Sequence, residues 1–213
     1  VHDAVDDDID IATDFRGRVS TSVARQLLSK LEQYDLMFVE EPVHPDHNSN
    51  LQEITSGINT PIATGQRMYS RWEFRPLLQS GIVDIVQPAI AHAGGISEVM
   101  RIGQMAEAYD VTMMPKCSVG PISFAAGMHV QMALPNAVLQ EQHDEFYAGH
   151  NNQFFNYLQN DDYFSLADGF VTIEDTSGLG IRINEEHVRN QANKAADWKE
   201  PTWHYEDGGV ANW

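Results

Sequence analysis

The chain has 213 residues, 42% of them hydrophobic, which is the composition of a globular protein with about one large domain rather than of a disordered chain. Lys and Arg number 13 against 31 Asp and Glu, a formal charge of −18 that argues against nucleic acid or an anionic membrane surface as partner. The single cysteine, Cys117, excludes an internal disulfide and a cysteine-rich zinc site and points to a reducing, cytoplasmic compartment; no apolar run approaches the ~18 residues of a membrane-spanning helix.

The opening stretch VHDAVDDDIDIATDF reads as the end of a helix running into a strand, so we expect a chain that starts partway through a longer pattern. From there to residue 142, short apolar or β-branched runs alternate with longer segments of helical period. A strand over 8–15 leads to a helix over 20–34 with Ser20 as its cap, then a strand over 36–42 and a helix over 49–57. A strand over 60–65 precedes a helix over 70–80 capped by Ser70, followed by strand 82–88, helix 95–109, strand 111–116, helix 121–134 and strand 136–142. Strands alternating with helices predict βαβ units and a parallel sheet. The residues at the strand ends are Asp14, Glu40, Gln66, Ala89, Lys116 and Glu141, spaced by 26, 26, 23, 27 and 25. So steady a period suits consecutive units of a barrel, where catalytic side chains gather at the C-terminal strand ends, better than an open sheet with a switch in strand order. The fold class expected is α/β, with an incomplete TIM-like barrel over residues 1–142. Residues 143–213, rich in Asn, Asp, Gly and aromatics, are expected to be an extension that packs on the barrel or on a missing partner domain, with a hairpin in GFVTIEDTSGLGIRI.

Two carboxylates at successive strand ends, Asp14 and Glu40, with a third oxygen ligand at the next one, would make a Mg²⁺ site. Such a metal could bind a substrate carboxylate and stabilise the enediolate formed when the neighbouring carbon loses a proton. Acidic residues at strand ends also occur as plain solvated loop groups, and spacing alone leaves both readings open.

The segments DFRGRVS, FVEEP, PIATGQRM, IVQPAIAHAGGI, AEAYDVTMMPKCSVGPI, NAVLQEQ, DGFVTIEDTSGLGIRINEEHV and the closing ADWKEPTWHYEDGGVANW resemble, in this order along essentially the whole chain, the enolase superfamily, and within it the mandelate racemase-type acid-sugar dehydratases of the galactonate group. The resemblance implies a (β/α)7β barrel entered near its third strand. It also implies a Mg²⁺ cofactor held by Asp14, Glu40 and position 66, a sugar-acid substrate, and a homo-oligomer in the full-length form. By the same resemblance the catalytic base falls on Lys116 in place of a histidine, its supporting aspartate on Ala89, the acid that helps hydroxide leave on Arg16, and the eighth-strand glutamate on Glu141. Position 66 is a glutamate in that family and Gln66 here.

Gln66 keeps an amide oxygen but removes a charge from a site whose affinity rests on charge. Lys116 must be neutral to act as a base; carboxylates near it would keep it an ammonium. Arg16 cannot release a proton at ordinary pH but can hold a carboxylate as a bidentate partner. The sequence therefore supports a Mg²⁺-dependent acid-sugar dehydratase in which Lys116 takes the proton. The alternative is a catalytically inactive relative whose Arg16, Lys116, Asp14 and Glu40 form a self-neutralised cluster, and a third reading makes Lys116 a Schiff-base nucleophile. His92, His44, His47, His143 and His150 read as loop histidines without zinc spacing, and the Gly94–Gly95 pair is weak evidence for phosphate. Met113, Met114, Met128 and Met132 read as barrel core or its helical cover, and Trp198, Trp203 and Trp213 as anchors of the tail by burial. An incomplete barrel with an open edge is expected to be poorly soluble or oligomeric.

Overall fold

A computed structural model of the protein describes residues 1, 4–5, 9–141, 155–164, 166–173, 175–195 and 201–210. Five short strands, β1 (Ala12–Asp14), β2 (Phe38–Glu40), β3 (Ile62–Thr64), β4 (Ile85–Val86) and β5 (Thr112–Met113), pair in parallel and in sequence order. Each crossover carries a helix: α1 (Thr21–Leu31), α2 (Leu51–Thr55), α3 (Arg71–Ser80) and α4 (Ile96–Glu107), with α5 (Pro121–Ala133) after β5. A parallel sheet that never reverses its order is the topology of a barrel segment, as the strand-end period predicts. The strands are shorter than predicted because pairing stops where each chain turns into its loop. The predicted sixth strand, 136–142, is a single Met113–Ala137 bridge among the described residues. It still runs beside β5, with Glu141 N donating to the Pro115 carbonyl at 3.2 Å and Cys117 N to that of Glu141 at 3.1 Å.

Helix α1 starts at its predicted cap, with Ser20 Oγ accepting from Val23 N at 3.4 Å. Ser70 stands at the predicted start of α3 but makes no side-chain cap bond, and Gly81 closes that helix in the left-handed conformation at φ 65°. The predicted helix at 49–57 is α2 alone, preceded by a 3₁₀ turn over Pro45–Asn50 and ended by Gly57 at φ 82°.

Alternation along the strands separates two apolar layers. Val39, Ile62, Val86 and Met113 face outward and pack with Leu28, Ile54, Phe74, Leu78 and Ile102 of the helices, all essentially buried. Burial of each such side chain stabilises by about 1.5–3 kcal/mol. Phe38, Ala63 and Met114, with Ile85, face inward and fill the floor of the sheet's concave side. Two residues further along the same strands the inward positions are Glu40, Gln87 and Lys116, so a polar layer rests on an apolar floor. Gly65 lets α3 approach the end of β3: at φ 126° a Cβ there would stand 2.7 Å from Phe74 Cε1.

In the tail, Leu158, Tyr163 and Phe164 pack with Cys117, Phe124, Ala125 and Met128, tying the segment to α5. The hairpin consists of β6 (Leu166–Ala167) and β7 (Phe170–Val171), so it begins before the predicted stretch, which continues instead as a loop with Ile183 bridged to Leu158. A sixth helix, α6 (Glu185–Lys194), is capped by Asn184. One burial expectation is corrected: Trp203 is 56% exposed, because residues 201–210 fold into a turn closed on itself through His204 and Val210. Met132 belongs to the helical cover, on the solvent side of α5 at 77% exposure. His143, His150, Trp198 and Trp213 lie outside the described residues. Among the described residues no helix is long and apolar enough to cross a membrane.

Candidate active site

Glu40 ends β2 with 4% of its surface exposed, and its carboxylate is the hub of the polar layer. Gln66 Nε2 donates to Glu40 Oε1 at 2.9 Å, and Gln87 Nε2 donates to Glu40 Oε2 at 3.0 Å and to Glu141 Oε2 at 3.1 Å. The Lys116 ammonium bonds Glu141 Oε1 and stands 3.5 Å from Glu40 Oε1. Four of the six predicted site residues, Glu40, Gln66, Lys116 and Glu141, are thus in one network. Asp14 and Arg16 stand at its edge: Asp14 lies opposite Glu40 in the sheet register, and its Oδ1 accepts from Arg16 N at 2.6 Å in a tight turn. Arg16 sits in the left-handed region at φ 53°, a conformation that persists only where the surroundings hold it. Ala89 meets Lys116 through a parallel bridge and offers it only a methyl group.

Three carboxylates share one ammonium here, and their protonation follows. Burial raises Glu40 above the ordinary carboxylate range, against the pull of Lys116 and the Gln87 hydrogen bond. Burial, then the Glu40 charge, push Glu141 up to about 7, with Lys116 opposing. Burial alone would lower Lys116, but the charge and hydrogen bond of Glu141, together with Glu40 and Asp14, outweigh it and hold the amine above its ordinary value. At neutral pH Lys116 is an ammonium, and Glu141 is the group that exchanges a proton.

Gln87 was not among the predicted site residues, although strand alternation could have found it, since it lies two positions before Ala89 on the same inward side. A second pair was also missed. Arg67 donates to Glu41 Oε2 through Nε at 3.0 Å and Nη2 at 2.7 Å, and Nη2 also reaches the Arg16 carbonyl at 3.0 Å. Glu41, 1% exposed and held at φ 40°, therefore anchors the Arg16 turn from behind the polar layer. Its signal was the same 26-residue spacing one position on, 41 to 67 beside 40 to 66. His92 stays in a loop and meets Tyr69 edge-on at 6.5 Å between ring centroids.

The residues present do not fit the expected Mg²⁺ site. An ionised carboxylate only accepts, so Gln66 must turn its nitrogen to Glu40 and its oxygen away. Asp14 spends an oxygen on its own loop. A dication bound by Glu40 Oε1 would stand about 4 Å from the Lys116 charge, a repulsion of about 8 kcal/mol at an effective dielectric near 20. No group of three or more His, Cys, Asp or Glu side chains suited to a metal occurs among the described residues.

The comparisons with known proteins agree with the fold. The family model described as Enolase C-terminal domain-like matches residues 1–187. The chain is 39% identical, over all its 213 residues and 56% of each relative, to D-galactonate dehydratases of Variovorax paradoxus (strain S110) and Pectobacterium atrosepticum. It therefore spans about half the length of the curated relatives it matches. Among solved structures, an enolase from Agrobacterium radiobacter with sodium and L-malate bound superposes with a TM-score of 0.85 at 30% identity, covering 99% of this chain and 55% of that one. Several other matches are dehydratases or mandelate racemase/muconate lactonizing proteins, one from Sulfitobacter at a TM-score of 0.77 and 29% identity, over 85% of this chain and 44% of that one. By sequence and by fold alike, this chain belongs to the enolase C-terminal domain-like family.

Proposed function

We propose that this chain forms the ligand-holding barrel of a sugar-acid-binding protein, related to the galactonate dehydratases, that does not carry out the dehydration. The observation behind this reading is the Lys116 ammonium clasped between Glu40 and Glu141. Eliminating water from a polyhydroxy acid needs a base at the carbon next to the carboxylate, stabilisation of the enediolate, and an acid for the departing hydroxide. Lys116 is held protonated and cannot be that base, nor a Schiff-base nucleophile. Arg16 cannot give up a proton, and Ala89 offers no partner to a base. Binding makes lighter demands. An ammonium has three donors, so Lys116 keeps a hydrogen for a ligand carboxylate beyond those aimed at Glu141 and Glu40. Arg16, exposed at the strand ends, supplies a second cation.

A second reading keeps the lyase activity with Glu141 as the proton carrier. It is favoured by a carboxyl at about 7, a value suited to moving protons near neutrality, and by the 39% identity to D-galactonate dehydratases.

Incubation with D-galactonate, followed by calorimetry and by a carbonyl reagent for the 2-keto-3-deoxy acid, separates the two. Saturable binding weakened by Lys116→Met and Arg16→Ala, with no keto acid formed, supports the first. Keto acid formation abolished by Glu141→Gln establishes the second. Neither binding nor product refutes both.

A further inference from the structure

We infer that Lys116 is a built-in cation that stands in place of a divalent metal, so that the pocket is assembled without Mg²⁺ and excludes it. The geometry behind this is a convergence of N–H donors on oxygens that a metal would need. Glu40 Oε1 faces the Gln66 amide at 2.9 Å and the ammonium at 3.5 Å, and Glu40 Oε2 faces Gln87 at 3.0 Å. Glu141 is taken by the same lysine and the same glutamine. Gln87 has no exposed surface, so its bridge between the two carboxylates is a fixed part of the wall rather than a loose surface contact. Of the other acids close by, Glu41 is matched by Arg67, and Asp14 at the edge gives Oδ1 to the Arg16 N–H at 2.6 Å.

A tethered ammonium and a free dication differ in what they cost the site. The lysine arrives with the chain, neutralises part of the carboxylate charge from within, and makes directional hydrogen bonds that fix the carboxylates. Mg²⁺ would have to displace it, strip two amide donors and surrender most of its own hydration. Ala89, bridged to Lys116, adds neither charge nor bulk beside the lysine stem. An anionic ligand entering this pocket therefore meets an ammonium where a metal would otherwise receive it, and its binding is unaffected by chelators.

The test is calorimetric titration of Mg²⁺ into the wild-type protein, Gln66→Glu, and Lys116→Met/Gln66→Glu, with Tm measured alongside. The wild type and Gln66→Glu should give no saturable heat and no Mg²⁺-dependent Tm, since in both the ammonium remains on Glu40. The double variant should gain a saturable isotherm and a Tm rise of roughly 5–10 °C when Mg²⁺ exceeds its Kd about a hundredfold. Saturable binding by the wild type, or by Gln66→Glu as tightly as by the double variant, overturns the inference. So does a double variant that folds by circular dichroism and binds no Mg²⁺. If the double variant does not fold, the first two titrations decide. No sugar acid enters this experiment, so its result stands apart from the fate of the binding reading.

Discussion

Lys116 Nζ lies 3.5 Å from Glu40 Oε1, which brings a cation from the end of the fifth strand against a carboxylate from the end of the second. Both side chains are largely buried, at 14% and 5% exposure. In such a setting the pair is less a source of net stability than a commitment: removing one partner leaves the other charged and dry.

Replacement of the ammonium measures that commitment. Lys116→Met should destabilise the fold by about 3 kcal/mol in urea denaturation, because Glu40 and Glu141 are left facing each other. Lys116→Met/Glu141→Gln should recover a good part of the loss, since it removes one of the two repelling groups. A single variant as stable as wild type would show that the cluster is solvated and weak.

The pH dependence has a definite sign. Glu141 is raised from the ordinary 4.5 to about 7, so the folded state holds its proton more tightly than the unfolded one. Its contribution is fully present below about 4.5 and is lost as pH rises through 7, a swing of about 3 kcal/mol at most. Glu40 and Glu41, also raised by burial, act in the same direction. Lys116, raised as well, affects only the alkaline limb, where its contribution is lost as pH rises from the ordinary lysine value of 10.5 up through its folded value. Denaturation of wild type and Glu141→Gln between pH 5 and 8 tests this (a window set by these shifts, about 4.5 to 7 and just above): the difference between them should grow in the variant's favour as pH rises. A constant difference contradicts the assignment.

The Arg67–Glu41 pair yields a sharper structural prediction. Arg67→Met strands a carboxylate that is 1% exposed and should cost about 3–5 kcal/mol. Arg67→Lys should restore less than half, because an ammonium cannot reproduce the two-nitrogen grip on Oε2 together with the bond to the Arg16 carbonyl. Full rescue by lysine would reduce the guanidinium to a simple charge.

Among the described residues β1 pairs only with β2, so its outer edge carries unpaired backbone groups. The 23.9 kDa chain is expected to associate. Light scattering that shows a monodisperse monomer would contradict this.

Much of the fold was legible because it rests on local pattern. The βα alternation, the cap at Ser20 and the 26-residue period needed no tertiary information, whereas Ser70 marks the start of α3 without bonding it through its side chain. The site was legible one residue per strand end and no further. Spacing could place Glu40, Gln66, Lys116 and Glu141 at one rim, but whether Lys116 would reach Glu40 or point to solvent depends on side-chain direction across the sheet. Gln87 escaped notice because an uncharged residue inside an apolar strand reads as core. Trp203 was misjudged because the burial of an aromatic in a tail depends on whether that segment finds a surface, which composition does not encode.

The central claim is that an ammonium, and not a metal, occupies the centre of this site. A crystal structure of the protein grown in millimolar Mg²⁺ tests it most directly. The account predicts Lys116 Nζ between Glu40 and Glu141, with Gln66 Nε2 on Glu40 and no ion among Asp14, Glu40 and Gln66. A Mg²⁺ coordinated by those three residues, with the Gln66 amide reversed and Lys116 swung away, would contradict it.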